Sequence, residues 1–191
     1  PVDALALAGE ATDFAGDLAE DLLNAEVVIW TTTPWTIPSN KAVCFNPTLS
    51  YGLYEVTEAA EDNWAKVGET FLIANRLAQD VLGQARVDAF ENLRDVTPAE
   101  LSTLTLGHPF RGIEGGEGEW DYDVPMLDGD HVTDDAGTGF VHTAPSHGAD
   151  DYEVFVKRGW QNRLTHNVLP DGTFRETLPL FGGLDIMTPK G

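Results

Sequence analysis

Between residues 26 and 74 the chain carries four short runs rich in β-branched and aromatic residues, at 26–32, 42–46, 51–56 and 70–74. Turn formers such as Asn46-Pro47 and Glu61-Asp62-Asn63 separate them. Strands this short and this closely spaced predict a barrel, and further strands are expected at 103–107 and 138–144, with a hairpin-like pair, 122–127 and 130–133, around Asp128-Gly129. Helices are peripheral in this reading. Residues 74–82 have helical apolar spacing and end at Gly83, and Thr97-Pro98-Ala99-Glu100 reads as a capped helix start. Residues 150–158 predict a helix with Tyr152, Phe155 and Val156 on one face, Asp150 as its cap and Gly159 as its stop.

Two stretches fall outside that pattern. Residues 1–24 read as a mobile acidic lead-in with a short helix near 15–23, and 112–120 as a glycine-rich surface insertion, unless Trp120 packs over the barrel rim. A length of 191 residues fits one domain, 1–191. The start at Pro1-Val2 and the end at Lys190-Gly191 predict a piece excised from a longer chain. No apolar run approaches the roughly 20 residues of a membrane span and no signal peptide is legible, so a soluble, cytoplasmic protein is expected. Cys44 is the only cysteine, which excludes an internal disulfide and predicts a buried strand residue.

Candidate chemistry concentrates in two stretches. In Trp30-Thr31-Thr32-Thr33-Pro34-Trp35-Thr36-Ile37-Pro38-Ser39-Asn40, threonines leave the buried strand Val27-Val28-Ile29, and two prolines bias Thr33 and Ile37 towards extended backbone. The hydroxyls should line one wall of a small polar pocket beside Trp35, although a packed Pro-Trp-Thr corner would give the same residues. The second stretch runs from Gly137-Thr138-Gly139-Phe140-Val141-His142 through Thr143-Ala144-Pro145-Ser146-His147 to Asp150-Asp151. Its spacing fits no zinc signature, Ser146 lacks a nucleophile elbow, Asp128-Gly129-Asp130 lacks the rest of a calcium loop, and Gly137-Thr138-Gly139 is too short to cradle phosphate.

Together these stretches resemble the editing (CP1) domain of isoleucyl-tRNA synthetase, a class I enzyme. His108-Pro109-Phe110, Leu127-Asp128-Gly129-Asp130-His131-Val132-Thr133 and Pro170-Asp171-Gly172-Thr173 match in the same order. The valyl and leucyl relatives share the fold but resemble Thr-Thr-Arg-Pro where this chain has Thr32-Thr33-Pro34, and they lack the run seen at 142–145. The resemblance implies a β-barrel editing domain that hydrolyses valine from mischarged tRNA(Ile) and excludes isoleucine by size, with valyl-adenylate as a second candidate substrate. It implies that Thr31, Thr32, Thr33 and Asn40 orient the terminal adenosine, ester and water, and that Asp151 holds the α-ammonium. Trp35, Gly137, Thr138 and His142 would complete the substrate pocket. No cofactor or metal is implied. Phe140 departs from the family pattern and, alternating with His142, brings the pocket volume into question.

The expected partners are the 3′ end of tRNA(Ile) carrying valine and the remainder of the synthetase chain, with no membrane and the isolated domain monomeric. The synthetic signatures His-Ile-Gly-His and Lys-Met-Ser-Lys-Ser are absent, so this chain is not expected to activate an amino acid. A net charge of -21 predicts weak RNA affinity for the domain alone, because phosphate contacts supply most of it. Lys41 and Lys157-Arg158 are either local phosphate contacts or ordinary surface charges. The competing functional class is a non-catalytic insertion that positions tRNA or stabilises its parent.

Overall fold

A computed structural model describes residues 4–12 and 20–187, the first span through its backbone. Among these residues nine strands form one sheet: β1 (Ala4–Thr12), β2 (Glu26–Thr31), β3 (Ala42–Phe45), β4 (Tyr51–Ala59), β5 (Thr70–Ala74), β6 (Val87–Val96), β7 (Thr105–Gly107), β8 (Asp123–Asp128) and β9 (Phe140–Thr143). They lie in the order β6-β4-β5-β2-β1-β7-β8-β3-β9, with β2–β5 and β3–β8 parallel and the other pairs antiparallel. Three helices, α1 (Ala78–Gln84), α2 (Pro98–Thr103) and α3 (Ala149–Lys157), flank it. No helix among the described residues is long and apolar enough to cross a membrane.

The mainly β architecture is as expected, but the barrel is not. Among the described residues no ladder joins the two end strands, β6 and β9, so the sheet curls without closing. Its curl brings β9 over β2, and two hydrogen bonds pin the approach: Ala74 N–H to Thr138 O at 2.9 Å and Tyr51 O–H to Gly139 O at 2.9 Å. Gly139 permits this at φ 83°, where a Cβ would lie 2.3 Å from that of Ala74. Phe140 packs at a tilt on Tyr51 with ring centroids 4.8 Å apart, in the core.

Several local expectations need correcting. Residues 4–12 of the supposed mobile lead-in form β1, paired along β2; only Glu20–Leu22 of the helix expected near 15–23 is seen, as a single 3-10 turn, and 13–19 lie outside the described residues. Gly83 lies inside α1, and the left-handed residue after it is Arg86, at φ 56°, whose carbonyl accepts from Asn63 Nδ2 at 2.9 Å. Residues 130–133 are not a strand, because β8 pairs with β7 and β3 instead. β6 has no counterpart in the sequence reading: its exposed, charged residues carry no clear alternation, and it is a strand because it pairs along β4. Gly148 rather than Asp150 caps α3, which buries Val154 and Phe155 and leaves Tyr152 and Val156 exposed. The capping box of α2 forms as expected, Gly159 ends α3 at φ 69°, and Cys44 is buried in β3.

Candidate active site

Residues Pro34–Ser39 form a 3-10 turn instead of the extended backbone that the prolines suggested. Pro34 occupies its first position, where no N–H is needed. Thr33 N–H donates to Thr31 Oγ1 at 3.0 Å and Thr36 O–H to Thr33 O at 2.8 Å, so the hydroxyls hold the break in the strand as well as facing outward. Where this turn meets β9 and the start of α3, a cleft of about 510 Å³ opens. One wall carries Thr31, Thr32, Thr33 and Thr36 between Trp30 and Trp35; His142 and Ala144 of the β9 end form the next; His147, Gly148 and Asp151 close the third.

Asp151 sits in the first turn of α3 and bends back, its Oδ2 accepting from Ala144 N–H at 2.8 Å. Gly148 makes room for it, since a Cβ there would lie 2.9 Å from that oxygen. Desolvation raises the Asp151 pKa above the ordinary value, against the lowering effect of the Ala144 hydrogen bond. The second oxygen, Oδ1, has no hydrogen-bond partner among the described residues. A partly sheltered carboxylate of this kind is suited to a cation.

His142 is buried and contacts Thr36 Oγ1 through Nε2 at 3.0 Å. Because the single Thr36 proton goes to Thr33 O, the Thr36 oxygen accepts here and the proton sits on His142 Nε2. Nδ1 is left as a buried lone pair without a partner among the described residues. Burial pushes the His142 pKa down to about 4, so the ring is neutral at pH 7. His147, beside it, is lowered as well, mainly by burial.

Of the residues singled out from sequence, Thr31, Thr32, Thr33, Trp35, His142 and Asp151 come together on this cleft. Asn40, Gly137 and Thr138 do not line it. Asn40 is fully buried, its Oδ1 accepting from Thr143 N–H at 3.3 Å, so it ties the turn to β9. Thr138 is buried in the crossing to β5, and Gly137 lines a neighbouring cleft. Thr36 and His147 line the site without having been assigned to it; the 3-10 period of three, which puts Thr33 and Thr36 together, was the missed signal for the first. Ser146 donates to Thr165 O at 2.6 Å as a loop fastener. The nearby cations are engaged within the domain: Lys41 lies 3.7 Å from the Tyr122 ring centroid, Lys157 pairs with Glu153 at 3.2 Å, and Arg158 pairs with Asp128. Among the described residues no group of three or more His, Cys, Asp or Glu is placed to hold a metal.

The curled sheet has the fold of the CP1 editing domains of leucyl-tRNA synthetases. It matches the crystal structure of GlLeuRS-CP1 with a TM-score of 0.60 at 17% identity, covering 88% of this chain and 72% of that one. The P. knowlesi cytosolic leucyl-tRNA synthetase editing domain matches with a TM-score of 0.56 at 13% identity, over 85% and 65% of the two chains. In sequence the chain is similar to a segment of isoleucine–tRNA ligases. It is 49% identical over 174 residues to that of Ruegeria pomeroyi, covering 90% of this chain and 18% of the relative, and 45% identical over 177 residues to that of Bradyrhizobium diazoefficiens, covering 89% and 17%. The chain thus spans less than a fifth of the length of these curated relatives. No family model matches it.

Proposed function

We propose that residues 1–191 act as one editing domain that hydrolyses the ester between a wrongly attached amino acid and tRNA, with valine on tRNA(Ile) as the substrate. The observation that carries this reading is Asp151: a carboxylate whose pKa is raised by desolvation, with one oxygen free of hydrogen bonds among the described residues, on a cleft shared with four threonines. An α-ammonium seated there offsets the cost of burying the charge and holds the amino acid at its fixed end. The threonine hydroxyls orient the ester carbonyl and a water. Water adds to the carbonyl carbon, the bond to the ribose oxygen breaks, that oxygen takes a proton, and the free amino acid leaves. Positioning and stabilisation of the developing oxyanion supply the rate, without a covalent enzyme intermediate.

His142 and Thr36 form the wall that sets the size limit, held rigid by their mutual hydrogen bond. One methylene is worth only about 1–3 kcal/mol to an apolar pocket, for which isoleucyl-tRNA synthetase is itself the standard illustration, so exclusion in a second site answers a real deficit. With a net charge of -21 and its nearby cations engaged, the domain relies on the rest of a synthetase to hold the tRNA body.

The test is release of amino acid from Val-tRNA(Ile) and Ile-tRNA(Ile) at low salt, by the wild type and by Asp151→Ala. Valine release that spares isoleucine and needs Asp151 is the expected result. Unchanged editing by Asp151→Ala within a complete synthetase would sink the assignment and favour a non-catalytic insertion.

A further inference from the structure

Ester hydrolysis moves one proton from the attacking water to the departing ribose oxygen, and the side chains on the cleft differ in their ability to carry it. Threonine hydroxyls neither gain nor lose a proton near pH 7. One Asp151 oxygen accepts from Ala144 N–H, and the other is the seat proposed for the α-ammonium. His142 keeps a lone pair on Nδ1, but its ring is buried and a pKa of about 4 makes it a weak base at neutral pH. His147 is different. It lines the cleft beside Gly148 and is exposed to solvent, and neither of its ring nitrogens has a hydrogen-bond partner among the described residues.

The backbone beneath it is held on both sides. His147 N–H donates to Ala144 O at 2.8 Å, and Ser146, just before it, donates through its hydroxyl to Thr165 O at 2.6 Å. Ala144 also presents its N–H to Asp151, so the histidine backbone and the carboxylate are tied to the two polar groups of one residue. The titratable groups around the ring are His142 at the end of β9, His166 in the loop that supplies Thr165, and Asp151 on α3. Burial, aided by His166, lowers the His147 pKa, so the ring is neutral at pH 7 with a lone pair available. We propose that His147 is the catalytic proton carrier of this cleft. A ring nitrogen takes a proton from the water as its oxygen bonds to the carbonyl carbon, then gives that proton to the ribose oxygen as the carbon–oxygen bond breaks. The second proton of the water leaves to solvent when the carboxyl product ionises. The inference rests on the editing reading, which supplies the ester and the water but no proton carrier.

Single-turnover deacylation of Val-tRNA(Ile) by a complete synthetase containing this domain tests the assignment, with pH and added imidazole as variables. His147→Gln keeps hydrogen-bonding capacity without a titrating ring, and it is expected to slow the step about 100-fold, the lower scale of general acid–base catalysis. The enzyme concentration that gives half the maximal rate should not change, whereas Asp151→Ala should raise it. His147→Ala should be equally slow and should regain rate in proportion to added imidazole, which a merely structural role would not produce. The wild-type rate should fall as pH drops through the His147 titration, and His147→Gln should keep only the decline imposed by protonation of Asp151 or His142. Undiminished deacylation by His147→Gln, or a loss in His147→Ala that imidazole does not restore, overturns the proposal. Asp151→Ala separates it from the editing reading. Hydrolysis that needs Asp151 but not His147 would overturn the proton carrier alone, imidazole-rescued hydrolysis insensitive to Asp151→Ala would overturn the ammonium seat alone, and a wild type that releases no valine would overturn both.

Discussion

The Pro34–Ser39 turn is gripped by a buried histidine on each side, and the two sides have opposite characters. On one side His108 is fully satisfied: Nδ1 accepts from Phe110 N–H at 3.1 Å, so Nε2–H donates to Ile37 O at 3.1 Å. Around it Trp120 Nε1 and Asn167 Nδ2 both donate to Pro38 O at 3.1 Å, and Tyr122 O–H donates to Asn40 O at 2.8 Å. On the other side His142 satisfies Nε2 alone, and the cleft begins. Burial lowers both rings to a pKa of about 4, so neither burial nor pKa separates a structural histidine from a candidate site residue. Hydrogen-bond saturation does. The aromatic side is a brace, and its rigidity is what lets the cleft side keep polar groups unpaired.

Acid should strain both sides together. Below about pH 6.5 the unfolded chain protonates these histidines while the folded chain does not until about pH 4, so stability present above pH 6.5 is lost as pH falls through that window. Each shift corresponds to about 3 kcal/mol, and chemical denaturation at pH 7, 5.5 and 4.5 should show the decline. His108→Gln should remove about half of it, His142 supplying the rest; an unchanged pH profile would refute the neutral-histidine assignment.

Cleft and brace should then come apart under mutation. Asp151→Asn should weaken an ammonium ligand by about 2–5 kcal/mol, yet melt no lower than the wild type. The reason lies in the sign of its shift: a carboxylate whose folded pKa is raised by desolvation detracts from stability once pH rises through that pKa, and the amide removes the charge while keeping an acceptor for Ala144. His108→Ala should do the reverse, losing about 3 kcal/mol or more of stability through a cavity and the orphaned Phe110 N–H, while Ile37 O keeps its bond from Asn40 N–H. If purified and kept folded at low temperature, that variant should retain measurable ligand binding, and thermal melts beside titration calorimetry would separate the two behaviours.

The smallest and most discriminating change is Thr36→Val, which should cost about 1 kcal/mol and free the His142 ring. Selectivity between valine and isoleucine should relax while deacylation of valine persists. A variant as selective as the wild type would show that the Thr36–His142 hydrogen bond does not shape the pocket wall.

The brace also decides between the two readings of residues 112–120. Residues 112–120 are glycine-rich and acidic, which read as a surface insertion, yet Trp120 is 1% exposed, packed against His108, Phe110 and Phe181. Composition described the loop's surface, and the alternative of a packed Trp120 holds because of partners about ten residues upstream and sixty downstream. β6 was missed for a related reason, since a strand made by pairing along a neighbour needs no apolar pattern of its own.

What the sequence determined by itself were features encoded in a few adjacent residues. The buried run of β2, the break at Pro34, the capping box of α2, the stop at Gly159 and the two polar stretches are local consequences of side-chain shape and missing donors. The tertiary structure alone decided which of those residues share a cleft. Thr36 meets His142 across 106 residues, Asp151 turns back to Ala144, and Asn40 and Thr138 are drawn inward, because the curl of the sheet and the aromatic brace fix how the two stretches face each other. Those contacts depend on the packing of distant segments, and no short stretch of sequence carries that information.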